Sequence, residues 1–515
     1  LMHSQHHSTR ASFVTRLDIV KAYLQQSRYD IAKQMANELK TDCEQSNHIL
    51  LLIEAQANIA DIAYHQHNIG KARELNSEIV DNIQYYAERI SNPDYLLLYN
   101  QRIYSFLKRA ADIDAEFGDL QSALSKLDLS KALCIGSFTQ KWESTPKLLE
   151  LPKLDLSAVQ AKLKPDELIL NYMVSENKLR VYAISADTVQ FEDKSLDLLY
   201  FKKLLFEYVD MIIKTIQVLN SNDISDWHSH HSDLTKLSTK ISSTLFEWKM
   251  FARFSNYHTF YILPDDILYE VPFSSLVDHK NPNQYIIQSR QINLIQSLLH
   301  FETCHKVEKK SPQKMRILLS LDPSFPSSHK LKDFLNKNFS NVDVLRSESI
   351  PKMDDVISQF NKHYDLYLIV GHSSSNFTSP NDSKINCTVF GNDKKTYKLD
   401  IALQNIKKIK WPSDSYIFLI GCETARGKLY QGTGLASLQR YISLLGGTHI
   451  VSSMWEVDAA FTINQTISIL QHVLEGKTLG EAMQFSQLEQ MDFLMNDPYY
   501  QVSHPYLWAS LSLLQ

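Results

Sequence analysis

Two reactive side chains, His372 and Cys422, lie fifty residues apart, and each follows an apolar run that ends in glycine. A cysteine thiolate is a nucleophile, and an imidazole beside it can take the thiol proton and later return it to a leaving amine. This pair is the smallest set of groups that supports covalent acyl transfer. The chemistry requires two distant parts of the chain to meet at one cleft.

The two apolar runs, residues 365–371 and 416–421, are rich in Leu, Ile and aromatic residues. Such continuous runs are typical of strands buried on both faces of a parallel sheet. In parallel sheets the carboxyl ends of neighbouring strands share one rim, where ligands bind. We therefore predict that His372 and Cys422 face one crevice. We also predict that the backbone amides of Ser373 and Cys422, just past the strand ends, bind the oxyanion of a tetrahedral intermediate.

Residues 1–135 have a helical period and contain little glycine or proline. Ala32, Ala72 and Ala123 each stand nine residues after a residue on the preceding helix, across a short polar turn, as in tetratricopeptide helix pairs. The copies are spaced more widely than the usual repeat of about 34 residues. We therefore predict degenerate or expanded tetratricopeptide-like repeats, with an ordinary helical bundle as the alternative.

The rest of the chain divides into three predicted regions. Residues 136–165 resemble a linker because prolines interrupt a polar sequence. Residues 166–305 contain short strands and helices and are predicted to form a smaller lobe. Residues 306–515 alternate strands and helices, which indicates parallel strands joined by helical crossovers. The predicted fold class is α plus α/β, with helical repeats followed by an α/β domain that has a mostly parallel sheet.

The segment around Cys422, Leu419–Gly427, resembles the nucleophile segment of CHAT domains, caspase-like cysteine peptidases commonly found beside tetratricopeptide repeats. The fifty-residue spacing from His372 also resembles that of caspases, although the caspase pentapeptide is absent. Further segments resemble CHAT landmarks in the same order along the chain: Leu263–Asp265, Leu268–Phe273, Gly432–Ala436, Leu444–Asp458, Gly480–Met483 and His504–Ala509. The likeness extends from about Pro165 to the last residue.

The resemblance implies a catalytic caspase-like domain at residues 306–515 and a degenerate caspase-like lobe at 166–305. It also implies that Cys422 is the nucleophile and His372 the base. One departure is Ser373, because the family usually has glycine after this histidine. A serine amide can still donate to an oxyanion, but its backbone is less free.

In caspase-like peptidases, the ends of two strands line the pocket for the residue before the cleaved bond. Asp322 and Asp458 occupy these positions here, and two acids would favour a basic residue of the substrate. Both residues also have structural interpretations. Asp322 could cap a turn before Pro323, and Asp458 could be the N-cap of a following helix.

The function predicted from these features is that of a cysteine endopeptidase that cleaves a protein partner, with a helical region that recognises substrate or activator. The resemblance suggests a role in bacterial defence or signalling. The polar segment 373–398 is predicted to be a loop that blocks or completes the groove. An inert scaffold with a pseudo-peptidase half is the main alternative, and a transacylase or ligase using the same acyl-enzyme stays open.

Composition limits the other functions. The net charge of -5 and pI near 6.5 give no electrostatic case for nucleic acid, and no apolar stretch reaches the length of about 18 residues that spans a bilayer. Five dispersed cysteines fit a reducing cytoplasm. No cofactor or metal is predicted. The cluster His228, His230, His231 and Asp233 could bind a metal, but it lies in a polar stretch between helices, which favours a solvated loop. The first residue is Leu, which suggests that upstream sequence is missing.

Overall fold

The computed structural model describes residues 2–515 apart from 88–92, 141–152, 176, 222–223, 304–310, 312–313, 349, 377–381, 394, 431, 433 and 499. The chain divides into two compact units. The first consists of Leu1–Asp155 with Gln431–Thr433, and the second of Leu156–Tyr430 with Gly434–Gln515.

The first unit is helical, as predicted, and consecutive helices pack against one another. Ala32, Ala72 and Ala123 are all fully buried, because each packs where two helices approach closely after a turn. The described helices of this unit are α1 (Met2–Gln25), α2 (Tyr29–Gln45), α3 (Ile49–His65), α4 (Ile69–Ala87), α5 (Pro93–Glu116) and α6 (Leu120–Gln140).

The turns between these helices repeat one geometry. Ser27, Asn47 and His67 all have positive φ angles, and the amide that follows each of them donates to a carbonyl five residues earlier. This is the Schellman pattern, in which one left-handed residue ends a helix and satisfies its last carbonyls. Ser27 and His67 are 40 positions apart, which gives helix pairs longer than a 34-residue repeat. The assignment to the tetratricopeptide class stays a prediction.

Two helices occupy part of the predicted linker, residues 136–165, while residues 153–155 and 163–165 are irregular, and the linker assignment stays a prediction. Helix α6 extends into it as far as Gln140, and Leu156–Lys162 forms a further helix, α7. Leu156 and Val159 are buried three residues apart on this helix. Apolar residues at this spacing face one side of a helix, which explains why the segment packs instead of remaining extended.

The second unit is built on one sheet of eleven strands in the order β3-β2-β1-β4-β7-β19-β18-β15-β11-β8-β9. Seven of its ten strand pairs are parallel, so the mostly parallel sheet is confirmed. Its strands are β1 (Glu167–Val174), β2 (Lys178–Ile184), β3 (Val189–Ser195), β4 (Thr259–Leu263), β7 (Gln291–Leu294), β8 (Arg316–Leu321), β9 (Asn341–Val344), β11 (Leu366–Val370), β15 (Tyr416–Ile420), β18 (His449–Ser453) and β19 (Leu511–Leu514).

Among the described residues of this unit, eight further strands lie outside the main sheet, and ten α-helices follow α7. These strands are β5 (Val277–Asp278), β6 (Asn281–Tyr285), β10 (Arg346–Ser347), β12 (Ser373–Ser374), β13 (Lys384–Gly391), β14 (Thr396–Ala402), β16 (Lys428–Tyr430) and β17 (Gly434–Ala436). The helices are α8 (Leu198–Ser221), α9 (Ile224–Phe246), α10 (Leu298–Thr303), α11 (Ser328–Asn338), α12 (Met353–Phe360), α13 (Leu403–Ile406), α14 (Leu438–Leu444), α15 (Ala459–Leu474), α16 (Leu479–Asn496) and α17 (Pro505–Trp508).

The two lobes predicted at 166–305 and 306–515 share this one sheet. The last strand, β19, lies between β7 of the first lobe and β18 of the second. It pairs parallel with β7 and antiparallel with β18. The lobes are therefore halves of one continuous layer, because the C-terminal strand supplies the ladder that joins them.

Strands β11 and β15, which precede His372 and Cys422, are buried on both faces, as their apolar runs predicted. In β11, Leu366 and Leu368 belong to one core, while Tyr367 and Ile369 belong to the core on the opposite face. Side chains alternate across a strand, so this division shows that helices cover both faces. No helix in the described part of the chain is long and apolar enough to cross a membrane.

The segment 373–398, predicted as a long loop, contains strands instead. Strands β12, β13 and β14 form a small sheet with β10. Ile385, Cys387 and Val389 of β13 are buried, and they pack into the core on one face of the main sheet. Alternating apolar residues at these positions explain why the segment pairs as strands.

Candidate functional site

The ends of β11 and β15 bring His372 and Cys422 to the same rim. The strands are parallel and adjacent, with Val370 paired to Ile420. The Gly371 amide extends the ladder by donating to the Ile420 carbonyl at 3.0 Å. His372 and Cys422 each stand two residues beyond the last pair, and neighbouring strands lie about 4.8 Å apart. The two side chains therefore leave the sheet from matched positions.

Glycine is required where these strand ends approach each other. A Cβ atom built on Gly421 would lie 2.5 Å from the Gly371 carbonyl oxygen and 2.5 Å from the Ser373 Oγ. Real Cβ contacts of this length are not found, so a side chain at position 421 would push the two strand ends apart. The glycine before Cys422 thus allows the thiol to lie near the histidine segment.

Cys422 begins a tight turn that is held by buried groups. The next residue, Glu423, has a φ of 55°, in the left-handed region that non-glycine residues rarely adopt. Thr424 is fully buried, and its hydroxyl donates to the Leu419 carbonyl at 2.9 Å and accepts the Ser453 amide at 2.8 Å. These bonds join the turn to the ends of β15 and β18.

The surroundings of Cys422 keep its thiol protonated at rest. Burial raises the pKa of the thiol above its ordinary value, and the Glu456 and Glu423 carboxylates raise it further. A hydrogen bond from the Val457 amide acts in the opposite direction. No hydrogen bond between Cys422 and His372 is present in the described structure. A base must therefore remove the thiol proton when a substrate is attacked.

This electrostatic setting predicts how Cys422 reacts with iodoacetamide. Since the thiolate is the nucleophile, alkylation of Cys422 at pH 7 should be slower than that of free cysteine and should still rise above pH 9. Removing the Glu456 charge with Glu456→Gln should lower the thiol pKa and speed alkylation at pH 8. Glu207→Gln, an exposed change on α8, should leave the rate unaltered. Alkylation faster than that of free cysteine at pH 7 would instead indicate a preformed thiolate.

His372 is exposed to solvent, and its position is fixed from two sides. Its ring packs edge-on against Phe325, with 6.0 Å between ring centroids. Its carbonyl accepts the Asn386 amide of β13 at 2.8 Å. The small sheet and Phe325 therefore hold the imidazole at the rim, where it is open to a substrate.

Ser373 and Cys422 were predicted to supply oxyanion donors from their amides. Both residues lie at the rim, and the Ser373 side-chain hydroxyl donates to the Cys422 backbone carbonyl at 2.6 Å. The role of the two amides stays a prediction.

Asp322 and Asp458, the candidate pocket acids, both have structural partners. The Asp322 side chain is 1% exposed, and it accepts from the Ser324 amide and hydroxyl and pairs with Lys398 at 2.7 Å. Burial alone would raise the Asp322 pKa, but these bonds outweigh it and hold the pKa below its ordinary value. Asp458 is the N-cap of α15 and accepts the Phe461 amide at 2.9 Å. Both positions thus match the structural interpretations, and the pocket role stays a prediction.

The histidine cluster lies on a helix and not, as expected, in a solvated loop. His228, His230, His231 and Asp233 all belong to α9, and His230 and His231 pack against the fully buried His504. Among the described residues, no group of three or more His, Cys, Asp or Glu side chains is arranged to hold a metal ion.

Hydrogen bonds fix the protonation state of His504. Its Nδ1 accepts the Tyr506 amide at 3.3 Å as the N-cap of α17, so the ring proton lies on Nε2. Nε2 is 3.1 Å from the Thr215 hydroxyl of α8, which itself donates to the Met211 carbonyl. The imidazole is thus neutral and joins α8 to the segment before β19.

Acid should destabilise this region through His504. Burial holds its pKa well below the ordinary value, and His231 nearby has a pKa lowered to about 4. The unfolded chain takes up these protons below about pH 6.5 while the folded chain does not, so the free energy of unfolding should fall as the pH drops from 6.5. His504→Asn keeps a capping oxygen and should weaken that dependence in urea unfolding curves. An unchanged pH dependence would contradict the assignment.

Several residues around Cys422 lie in the recognised motifs, but their contacts were not predicted from the sequence. Trp455 is 1% exposed and accepts the Glu423 amide at 3.2 Å through its carbonyl. Arg426 lies 3.3 Å from Glu423 and 3.9 Å from Glu270 of the other half of the unit. The Trp455–Asp458 segment was recognised as a motif, but backbone groups have no sequence signature of their own.

Comparison with solved structures supports the fold. The chain is similar to the separase of a Saccharomyces cerevisiae separase–securin complex, with a TM-score of 0.52 and 9% identity, over 98% of this chain and 46% of that one. The chain thus spans about half the length of that separase. It is also similar to the Arg-specific cysteine proteinase gingipain R of Porphyromonas gingivalis, with a TM-score of 0.32 and 12% identity, over 54% of this chain and 66% of that one.

Sequence comparison gives the family. No curated protein matches the chain. The model of the CHAT domain matches residues 235–514, which is more than half of the chain. This match covers both strand ends of the candidate site and the closing strand β19, so the chain belongs to the CHAT domain family.

Proposed function

We propose that the chain is a cysteine endopeptidase that cleaves a protein substrate through Cys422 and His372. The observation that carries the proposal is the register of β11 and β15, which places the two residues at matched positions beyond one pair of strand ends. The fold of the family and of separase agrees with this role.

The reaction begins when the His372 imidazole takes the Cys422 proton as the sulfur attacks the substrate carbonyl. The amides of Ser373 and Cys422 bind the oxyanion that forms. The intermediate collapses to a thioester as the imidazolium gives its proton to the leaving amine. Water, deprotonated by the same imidazole, then releases the acid product and restores the thiol.

The rest of the proposal concerns context. The helical unit recognises a protein, either the substrate or an activator, since stacked helix pairs present extended binding surfaces. The described free cysteines, Cys43, Cys387 and Cys422, fit a reducing cytoplasm. A role in bacterial defence or signalling rests on the family resemblance alone.

A second candidate is an inert protein-interaction scaffold. The raised pKa of Cys422 and the absence of a thiol–imidazole hydrogen bond between these two described residues favour it. Catalytic hydrogen bonds in unliganded sites are often long and tighten only when substrate binds, so this geometry does not exclude a peptidase.

The deciding experiment compares wild type, Cys422→Ala and His372→Ala after incubation with a native proteome. New protein N-termini should arise with wild type and be lost with both variants. If all three proteins produce the same set of N-termini, the scaffold is the correct function.

A further inference from the structure

The residues after His372 contact the turn that carries Cys422 through two hydroxyl groups. Ser373 donates to the Cys422 carbonyl at 2.6 Å, and Ser375 donates to the Glu423 carbonyl at 2.7 Å. Ser375 also lies 3.3 Å from the Arg426 carbonyl. The carbonyls of Cys422 and Glu423 thus each accept a hydrogen bond from a serine of the segment that follows His372.

These bonds act on a strained part of the backbone. Glu423 has a φ of 55°, and a non-glycine residue persists there only when its surroundings hold it. The peptide unit between Cys422 and Glu423 is fixed at both ends, because its carbonyl accepts from Ser373 and its amide donates to the Trp455 carbonyl. Rotation of this unit would turn the Cα of Cys422 and move its sulfur.

Ser374 provides an internal comparison. It lies between the two serines in β12 and is exposed, because successive side chains of a strand point to opposite faces. The hydroxyls that reach the turn are those of Ser373 and Ser375, on either side of Ser374. Ser374→Ala changes the same kind of group, in the same strand, without touching the turn.

We infer that Ser373 and Ser375 are positioning residues that hold the Cys422 turn in place relative to His372. The inference rests on the proposed function. It also gives a reason for a serine at position 373, where the family usually has glycine. The hydroxyl supplies a bond across the rim that glycine lacks.

Peptidase kinetics test the inference with a fluorogenic peptide mixture that wild type cleaves and Cys422→Ala does not. A displacement of about 1 Å at a reacting atom costs about 100-fold in rate. Ser373→Ala and Ser375→Ala should therefore lower kcat by about 10- to 100-fold with little change in KM, and Ser374→Ala should act like wild type. Ser373→Gly should also be slower; a faster Ser373→Gly enzyme would overturn the inference.

A rescue experiment separates positioning from general loss of structure. Glycine adopts a φ near 55° without strain, so Glu423→Gly should recover part of the kcat lost in Ser375→Ala. Glu423→Gln removes the same charge but keeps the strain, and it should not restore kcat. Equal behaviour of the two double variants would contradict the role given to Ser375.

The rate at which iodoacetamide alkylates Cys422 is a measurement that does not depend on peptide cleavage. Loosening the turn should expose the sulfur and raise its iodoacetamide rate several-fold in Ser373→Ala and Ser375→Ala, but not in Ser374→Ala. If the alkylation rate rises in Ser373→Ala and Ser375→Ala while the wild-type protein cleaves no peptide, the proposed peptidase function is wrong. The role of the two serines in positioning Cys422 is then still supported. If neither alkylation nor kcat differs from Ser374→Ala, the positioning role is wrong.

Discussion

Replacing Cys422 with Ala should lower kcat/KM for peptide cleavage by about 10⁶-fold, because no other group in the turn can form the acyl-enzyme. Replacing His372 with Ala should cost about 10²- to 10⁴-fold, the usual contribution of a positioned general base. The protonated resting thiol makes this base essential, since burial and two nearby carboxylates disfavour the thiolate. Initial rates on the peptide mixture measure both effects.

The double variant distinguishes a dyad from two independent residues. Residues that act as a unit are strongly non-additive, so Cys422→Ala with His372→Ala should be no slower than Cys422→Ala alone. Cys387→Ala and His363→Ala are matched controls: Cys387 is enclosed in the core, and His363 is exposed and paired with Asp414. Losses that multiply, or a control that loses comparable activity, would refute the dyad.

The second large effect is expected for Gly421→Ala. The added Cβ would meet the Gly371 carbonyl oxygen, which belongs to the backbone of a buried, paired strand and cannot rotate away. Overpacking of this kind typically costs about 1–3 kcal/mol of the free energy of unfolding. Separation of the two strand ends should also reduce kcat by at least about 100-fold. Urea unfolding followed by circular dichroism measures the first effect, and peptide cleavage measures the second.

Gly70→Ala provides the control for this change. No heavy atom lies within 4 Å of a Cβ at this position on α4, and alanine favours a helix over glycine by up to about 1 kcal/mol. This variant should therefore be at least as stable as wild type and equally active. A Gly421→Ala protein that retains full stability and activity would show that the strand ends tolerate separation.

Local sequence patterns determined much of the fold and the position of the site. The apolar runs before His372 and Cys422 predicted β11 and β15, because strands buried on both faces must be apolar at every position. The order of strands and helices predicted the parallel sheet, and helical periodicity predicted the first unit. The ends of these runs predicted His372 and Cys422 as the reactive residues, and the motif around Cys422 agreed with that prediction.

The tertiary structure decided whatever depends on groups distant in sequence. Asp322 pairs with Lys398, seventy-six positions later, and no sequence pattern near Asp322 predicts this ion pair. The insertion of β19 between β7 and β18 joins two predicted lobes into one sheet. The pKa of the Cys422 thiol depends on burial. The hydrogen bonds from Ser373 and Ser375 to the Cys422 turn depend on where backbone carbonyls lie. Every residue type except proline has the same backbone N–H and C=O groups, so only the arrangement of these groups in space gives them a role.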